Sequence, residues 1–114
     1  MKEVKAIIQP FKAREVIEAL AALGDDLPGV TVSEVKGFGK GRLRHAPEKI
    51  VEGLIAYVER TKLEIMVRDD QVDAVVNCIE QHAHTGNTGD GKIWVIPIEQ
   101  TVKIRTGERG EAAI

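Results

Sequence analysis

The hydrophobic pattern of this 114-residue chain passes from strand-like alternation to helical spacing and back, and then does so again in the same order. "EVKAIIQP", residues 3–10, is short, rich in Val and Ile and closed by a proline, which predicts a strand ending near Gln9. Val16, Ile17, Leu20 and Leu23 follow on one side at i, i+3/i+4, i+7 spacing, and Gly24 supplies a stop, so an amphipathic helix is expected. After the turn-like "GDDLPG", the stretch "GVTVSEVKGF" sets Val30, Val32 and Val35 among polar residues as a half-buried second strand. The second round begins with "KLEIMV", again alternating. Asp69 and Asp70 are expected to cap a second helix with Val72, Val75, Val76 and Ile79 on one face. "KIWVIPI", with Trp94, reads as a fourth strand, and "TVKIR" as a short fifth.

Two strand–helix–strand units of similar size in one chain of this length predict an α+β fold. The specific expectation is the ferredoxin-like βαββαβ sandwich, one domain over residues 1–114, with a short C-terminal strand added. Between strands 2 and 3, residues 39–58 carry Gly39, Lys40, Arg42, Arg44, His45 and Lys49 around scattered apolar residues and a proline. A flexible loop is expected there, and loops beyond about 12–15 residues in a compact domain usually serve function.

Bulk charge selects no partner. The net charge of −2, with 30% charged residues of both signs, argues against a nucleic-acid surface. One cysteine, Cys78, excludes an internal disulfide, and "MKEVKAIIQPFK" has too short an apolar run for a signal peptide. No stretch approaches the roughly 20 apolar residues of a membrane span, so a soluble, cytoplasmic protein without membrane insertion is expected.

Residues 85–92, "TGNTGDGK", hold three glycines, two threonines, an aspartate and a lysine, a composition suited to phosphate. Gly86 through Lys92 even fill the first seven places of the P-loop pattern. The context is wrong for a P-loop, which follows a strand, opens a helix and carries Ser or Thr after its lysine. Here the loop follows a helix, precedes a strand, and Ile93 comes after Lys92. What survives is a glycine loop whose amides can converge on an anion, with Lys92 supplying charge; the alternative is an ordinary turn with a solvated lysine. Asp90 is the one candidate base beside it, and a turn-stabilising or ribose-binding role explains it equally well, so no enzyme is expected. No metal site is expected either. His82 and His84 are two apart and do not share a helix face, His45 lies in the long loop, and Cys78 falls within the helix.

Four ordered blocks carry a resemblance: "PFK" at 10–12, "TVSEVKGFG" at 31–39, "TGNTGDGKIWV" at 85–95 and "IRTGERGEAAI" at 104–114. Together they resemble the signature segments of the P-II nitrogen-regulatory signal-transduction family. The resemblance implies a ferredoxin-like protomer in a compact homotrimer, with ATP or ADP, and magnesium with it, in the clefts between neighbours. It implies signalling through the long loop, which docks on a transporter, enzyme or regulator. Carried over by position, Gly89, Asp90, Gly91 and Lys92 would surround the phosphates and ribose, and Lys103 and Arg105 of the next subunit would add phosphate charge. Ile7, Thr31, Glu64 and Met66 would line the adenine, with Gly37, Gly39 and Lys40 at the base of the loop. As alternate residues of the expected fifth strand, Lys103 and Arg105 could aim together at a polyphosphate.

The chain also departs from the family pattern. Where 2-oxoglutarate-responsive members have a glutamine after "GFG" that helps hold magnesium, this chain has Gly41 after Lys40. The lysine that clamps the far carboxylate is Arg60, which leaves Arg60 as the candidate 2-oxoglutarate contact with altered geometry. The tyrosine and serine modified in some members fall at Gly53 and Val51, and the arginine that enters ammonium channels falls at Lys49. Tyr57, on the return limb, reads as a packing residue. Arg42, Arg44, His45 and Lys49 are therefore the expected partner-binding residues of an altered loop. The alternatives are a relative that governs metal efflux or bicarbonate transport without sensing 2-oxoglutarate, or a weak nucleotide hydrolase.

Overall fold

The computed structural model of the chain describes residues 1–38 and 57–114. The elements run β1 (Lys2–Ile8), α1 (Ala13–Ala21), β2 (Thr31–Gly37), β3 (Val58–Val67), α2 (Val72–Ala83) and β4 (Gly91–Pro97). The four strands form one sheet in the order β2-β3-β1-β4, every neighbouring pair antiparallel. Each helix thus joins two strands separated by a third, the split arrangement expected of a ferredoxin-like sandwich.

Alternation decides which face is covered. Val4, Ala6 and Ile8 of β1 and Leu63, Ile65 and Val67 of β3 point to the same side, where Val16 and Leu20 of α1 and Val75, Cys78, Ile79 and Ala83 of α2 close the core. Val72 and Val76 pack at its margin. The opposite face of the sheet carries Glu3, Lys5 and Ile7 beside Met66, Glu64 and Lys62, with Trp94 and Ile96 from β4. No helix covers it among the described residues.

Four boundaries differ from the sequence reading. Leu23 is not on the buried stripe: α1 ends at Ala21, and Leu23 is exposed beyond it. Asp69 and Asp70 do not cap α2. They begin a 3₁₀ turn, Asp69–Gln71, entered by the Gln71 side chain, whose Oε1 accepts the Arg68 N–H at 2.9 Å. Both carboxylates find cations instead, Asp69 the N-terminal ammonium of Met1 at 2.8 Å and Asp70 the Arg68 guanidinium at 3.1 Å. β3 starts at Val58, the last residue assigned to the connection. The C-terminal strand amounts to one bridge, Val102 with Arg109. Gly107, at φ 77°, donates its N–H to the Lys103 carbonyl at 2.7 Å and turns the chain back before a strand can extend.

Gly39, Lys40, Gly41, Arg42, Arg44, His45, Lys49, Val51 and Gly53, and with them most of the expected partner-binding loop, lie outside the described residues. Tyr57, at the edge, stacks edge-to-face on Phe38 with centroids 6.3 Å apart and sits under the Lys36 ammonium at 5.5 Å, a packing role. Among the described residues no helix is long and apolar enough to cross a membrane.

Candidate functional site

Helix α2 ends because His84 turns extended at ψ 131°, leaving residues 85–90 as a closed loop ahead of β4. The loop is organised by one carboxylate. Asp90 Oδ2 accepts the amide N–H groups of Thr85 at 2.8 Å and Gly86 at 2.9 Å, and Asp90 Oδ1 accepts the Thr85 hydroxyl. The Thr85 Oγ1 in turn accepts the Asn87 N–H at 3.1 Å. Hydrogen bonding from the Thr85 hydroxyl, then from the Thr85 and Gly86 amides, holds the Asp90 carboxyl down at about 2. Asp90 is therefore ionised and fully engaged inside the loop, which is the turn-stabilising role and not that of a free base. The amides of Thr88, Gly89 and Asp90 have no partner among the described residues.

Two glycines fix where this loop lies. Gly91 has φ 102° and stands opposite Ile8 in the β1–β4 ladder, where a Cβ would come within 1.7 Å of the Ile7 carbonyl oxygen. Only glycine admits that approach. Gly89, at φ 97°, is overlaid by two side chains, so that a Cβ there would meet Arg60 Nη2 at 3.0 Å and Gln9 Nε2 at 3.1 Å. Gln9 Nε2 also donates to the Gly89 carbonyl at 2.8 Å, across 80 residues of sequence. Arg60 donates through Nη1 to the Glu59 carbonyl at 2.9 Å, which leaves its second nitrogen turned to the loop.

The register distributes the remaining candidates. Ile7, Thr31, Gly37, Glu64, Met66 and Lys92 all fall on the open sheet face. Ile7 lies opposite Lys92, and Thr31 opposite Glu64. Lys92, the first open-face residue of β4, has no ion-pair partner among the described residues. Glu64 is not an isolated lining residue: Lys5 and Lys62 each approach its carboxylate at 3.6 Å, and Lys5 also pairs with Glu3 at 3.4 Å. Lys103 and Arg105 do not share a strand face. Lys103 precedes the C-terminal turn and Arg105 lies in it, so the alternation that would aim them together does not hold within the chain. Neither forms an ion pair among the described residues. His84 approaches Asp90 at 3.8 Å through Nδ1, and His82 lies on the last turn of α2.

Gln9 is the residue that sequence reasoning missed. Its only signal is its place, directly before the proline that ends β1 and so beside whatever packs against that end. Beneath the loop, on the helix side, a cavity of about 380 Å³ lies between α2 and β4, lined by Val76, Glu80, His84, Asp90 and Ile93 among others. Gly91 and Lys92 also line it, whereas Ile7, Thr31, Glu64 and Met66 lie on the other face of the sheet.

Comparison with known proteins agrees with the fold. The family model described as "Nitrogen regulatory protein P-II" matches residues 1–108. Curated relatives named Nitrogen regulatory protein P-II include those of Azospirillum brasilense, 44% identical, and Microchaete diplosiphon, 46% identical, each aligned over 114 residues and the full length of both chains. Nitrogen regulatory protein P-II 1 of Escherichia coli K12 is 45% identical over the same span. Among solved structures, that of Arabidopsis thaliana PII bound to citrate superposes with a TM-score of 0.80 at 41% identity, covering 99% of this chain and 91% of that one. A family match over residues 1–108 and full-length identity of this order, on the same ferredoxin-like sheet, lead to one conclusion: the chain belongs to the nitrogen regulatory protein P-II family of signal-transduction regulators.

Proposed function

We propose that this chain is a homotrimeric sensor of ATP and ADP that controls a transporter, enzyme or regulator through residues 39–58, in nitrogen or related metabolism. The observation that carries the reading is the loop at 85–92. Its shape is set internally by Asp90, and three successive amides, Thr88, Gly89 and Asp90, are without partners among the described residues. Two cations, Lys92 and Arg60, stand at its edges. Convergent amides with flanking cations suit a polyphosphate, with magnesium neutralising the remaining charge. Ile7, Thr31 and Met66 offer apolar contacts to an adenine on the same face, and Lys103 and Arg105 of a neighbouring subunit would complete the charge. The Arabidopsis relative was solved with citrate, another compact polyanion.

A regulator of this kind works by differential affinity: ATP and ADP bias the long loop only as far as they bind its conformations unequally. Hydrolysis is disfavoured as the main activity because Asp90, the one nearby carboxylate in the loop, is already committed to three hydrogen bonds. Arg60, engaged with the Glu59 carbonyl and laid on Gly89, favours a second reading within the family, a regulator of metal efflux or bicarbonate transport that does not sense 2-oxoglutarate.

Calorimetric titration with ATP and ADP, each with magnesium and with or without 2-oxoglutarate, tests both. Saturable binding of at least one nucleotide is expected, with no change on adding 2-oxoglutarate. Lys92→Ala should weaken ATP binding at least tenfold, about 1.4 kcal/mol. Failure of the wild-type protein to bind either nucleotide would overturn the function, whereas unchanged affinity in the variant would remove only Lys92 from the site.

A further inference from the structure

Resting on the nucleotide reading, we propose that Gln9 is a positioning residue for the anion-binding loop, acting through the carbonyl of Gly89. The Gly89–Asp90 peptide is trans, so its C=O and N–H point in opposite directions. By donating Nε2 to the Gly89 oxygen at 2.8 Å, Gln9 draws that oxygen to itself and turns the Asp90 N–H the other way. The Asp90 carboxylate, bound to Thr85 and Gly86, fixes the residue beyond the peptide but does not fix the plane of the peptide itself.

That plane is otherwise easy to rotate. Gly89 has φ 97°, and glycine passes between positive and negative backbone regions with little steric cost. A rotated peptide would offer an anion its carbonyl oxygen, a repulsive dipole, in place of an amide donor. One hydrogen bond from the end of β1 thus selects the orientation in which the loop attracts phosphate. Arg60 Nη2 lies over the same Gly89 but belongs to a cation that donates elsewhere to the Glu59 carbonyl, so the hydrogen bond to Gly89 O is Gln9's alone among the described residues.

Two variants separate this role from a general structural one. Gln9→Leu keeps the bulk and removes the donor, and Gln9→Glu sets an acceptor against the carbonyl. ATP affinity, measured with magnesium, is expected to fall at least fivefold in the first and further in the second, with wild-type far-UV circular dichroism. In nucleotide-free protein, the Asp90 amide resonance should be single and sharp in the wild type, and shifted or broadened by exchange in both variants. Unchanged ATP affinity in variants of a wild type that binds ATP would overturn the role of Gln9 and leave the nucleotide reading standing. Weakened binding with an unperturbed Asp90 amide would overturn it as well, because Gln9 would then act by another route. A wild type that does not bind ATP removes both.

Discussion

At the scale of single residues, the 85–92 loop depends on Gly91, which tolerates no ordinary replacement, and on Asp90, which organises its amides. A Cβ on Gly91 would lie 1.7 Å from the Ile7 carbonyl oxygen, a backbone atom that cannot swing aside, and φ 102° is unfavourable for any L side chain. Gly91→Ala should therefore force β1 and β4 apart at their loop end and cost more than about 2 kcal/mol, the range typical of combined backbone strain and lost packing. Denaturant unfolding checks it, and a midpoint close to wild type would mean the strands part cheaply. Asp90 sets the pH limit of the loop. Its carboxyl is held at about 2, below the ordinary 3.8, by the Thr85 hydroxyl and the Thr85 and Gly86 amides. Because the folded value is the lower one, the stabilisation is complete above the ordinary carboxylate value and is lost as the pH falls through about 2. The Thr85 and Gly86 amide resonances should accordingly titrate together with a midpoint near 2, and a midpoint near 4 would show that Asp90 does not hold them in solution.

At the scale of elements, periodicity was a reliable guide where one face of an element is buried. Val75 and Ile79, or Leu63 and Ile65, repeat at the spacing their element requires, so both helices and all four sheet strands could be read from the chain. What could not be read depended on contacts between distant residues. Asp69 looks like a cap until Met1, 68 positions away, is brought to it, and "TVKIR" looks like a strand until Gly107 turns the chain back onto Lys103. The glycine loop was legible as a segment that could hold an anion, but its internal bonding by Asp90 and its tie to Gln9, 80 residues distant, were not. The proposed division of labour between this loop and residues 39–58 has its own consequence. Since β2 is paired with β3 along the whole of its own length, from Thr31 opposite Glu64 to Gly37 opposite Val58, the sheet does not need the connection for its register. Deleting residues 42–53 should leave a folded protein that still binds ATP but no longer captures its target. Retained capture in a pull-down would place the target-binding surface elsewhere.

At the scale of the molecule, the sheet presents two unequal faces, and the uncovered one bears on assembly. Trp94 lies in the row Thr31, Glu64, Lys5, Trp94, and Ile96 lies in the row with Glu3 and Met66. Trp94, Ile96 and Met66 remain 40%, 37% and 41% exposed in the single chain. Clustered large apolar side chains on one flat face commonly mark a surface buried by a partner. The ion pairs among Glu3, Lys5, Lys62 and Glu64 run between those apolar residues, so copies meeting there would enclose charges already paired within each chain. Exposed to water such pairs contribute little, about 0–1 kcal/mol each, which makes the apolar residues the main source of association energy on this face. Trp94→Glu would add an unpaired carboxylate where the proposed trimer requires burial. Light scattering after size exclusion should give the wild type three times the 12.5 kDa chain mass, and the variant the mass of one chain with its far-UV spectrum retained. Because the proposed nucleotide cleft draws Lys103 and Arg105 from a neighbour, the monomeric variant should also lose ATP affinity even though Lys92, Gln9 and Arg60 are untouched. A monomer that binds ATP as tightly as the wild type would confine the nucleotide site to one chain, and a variant that remains trimeric would move the interface off this face.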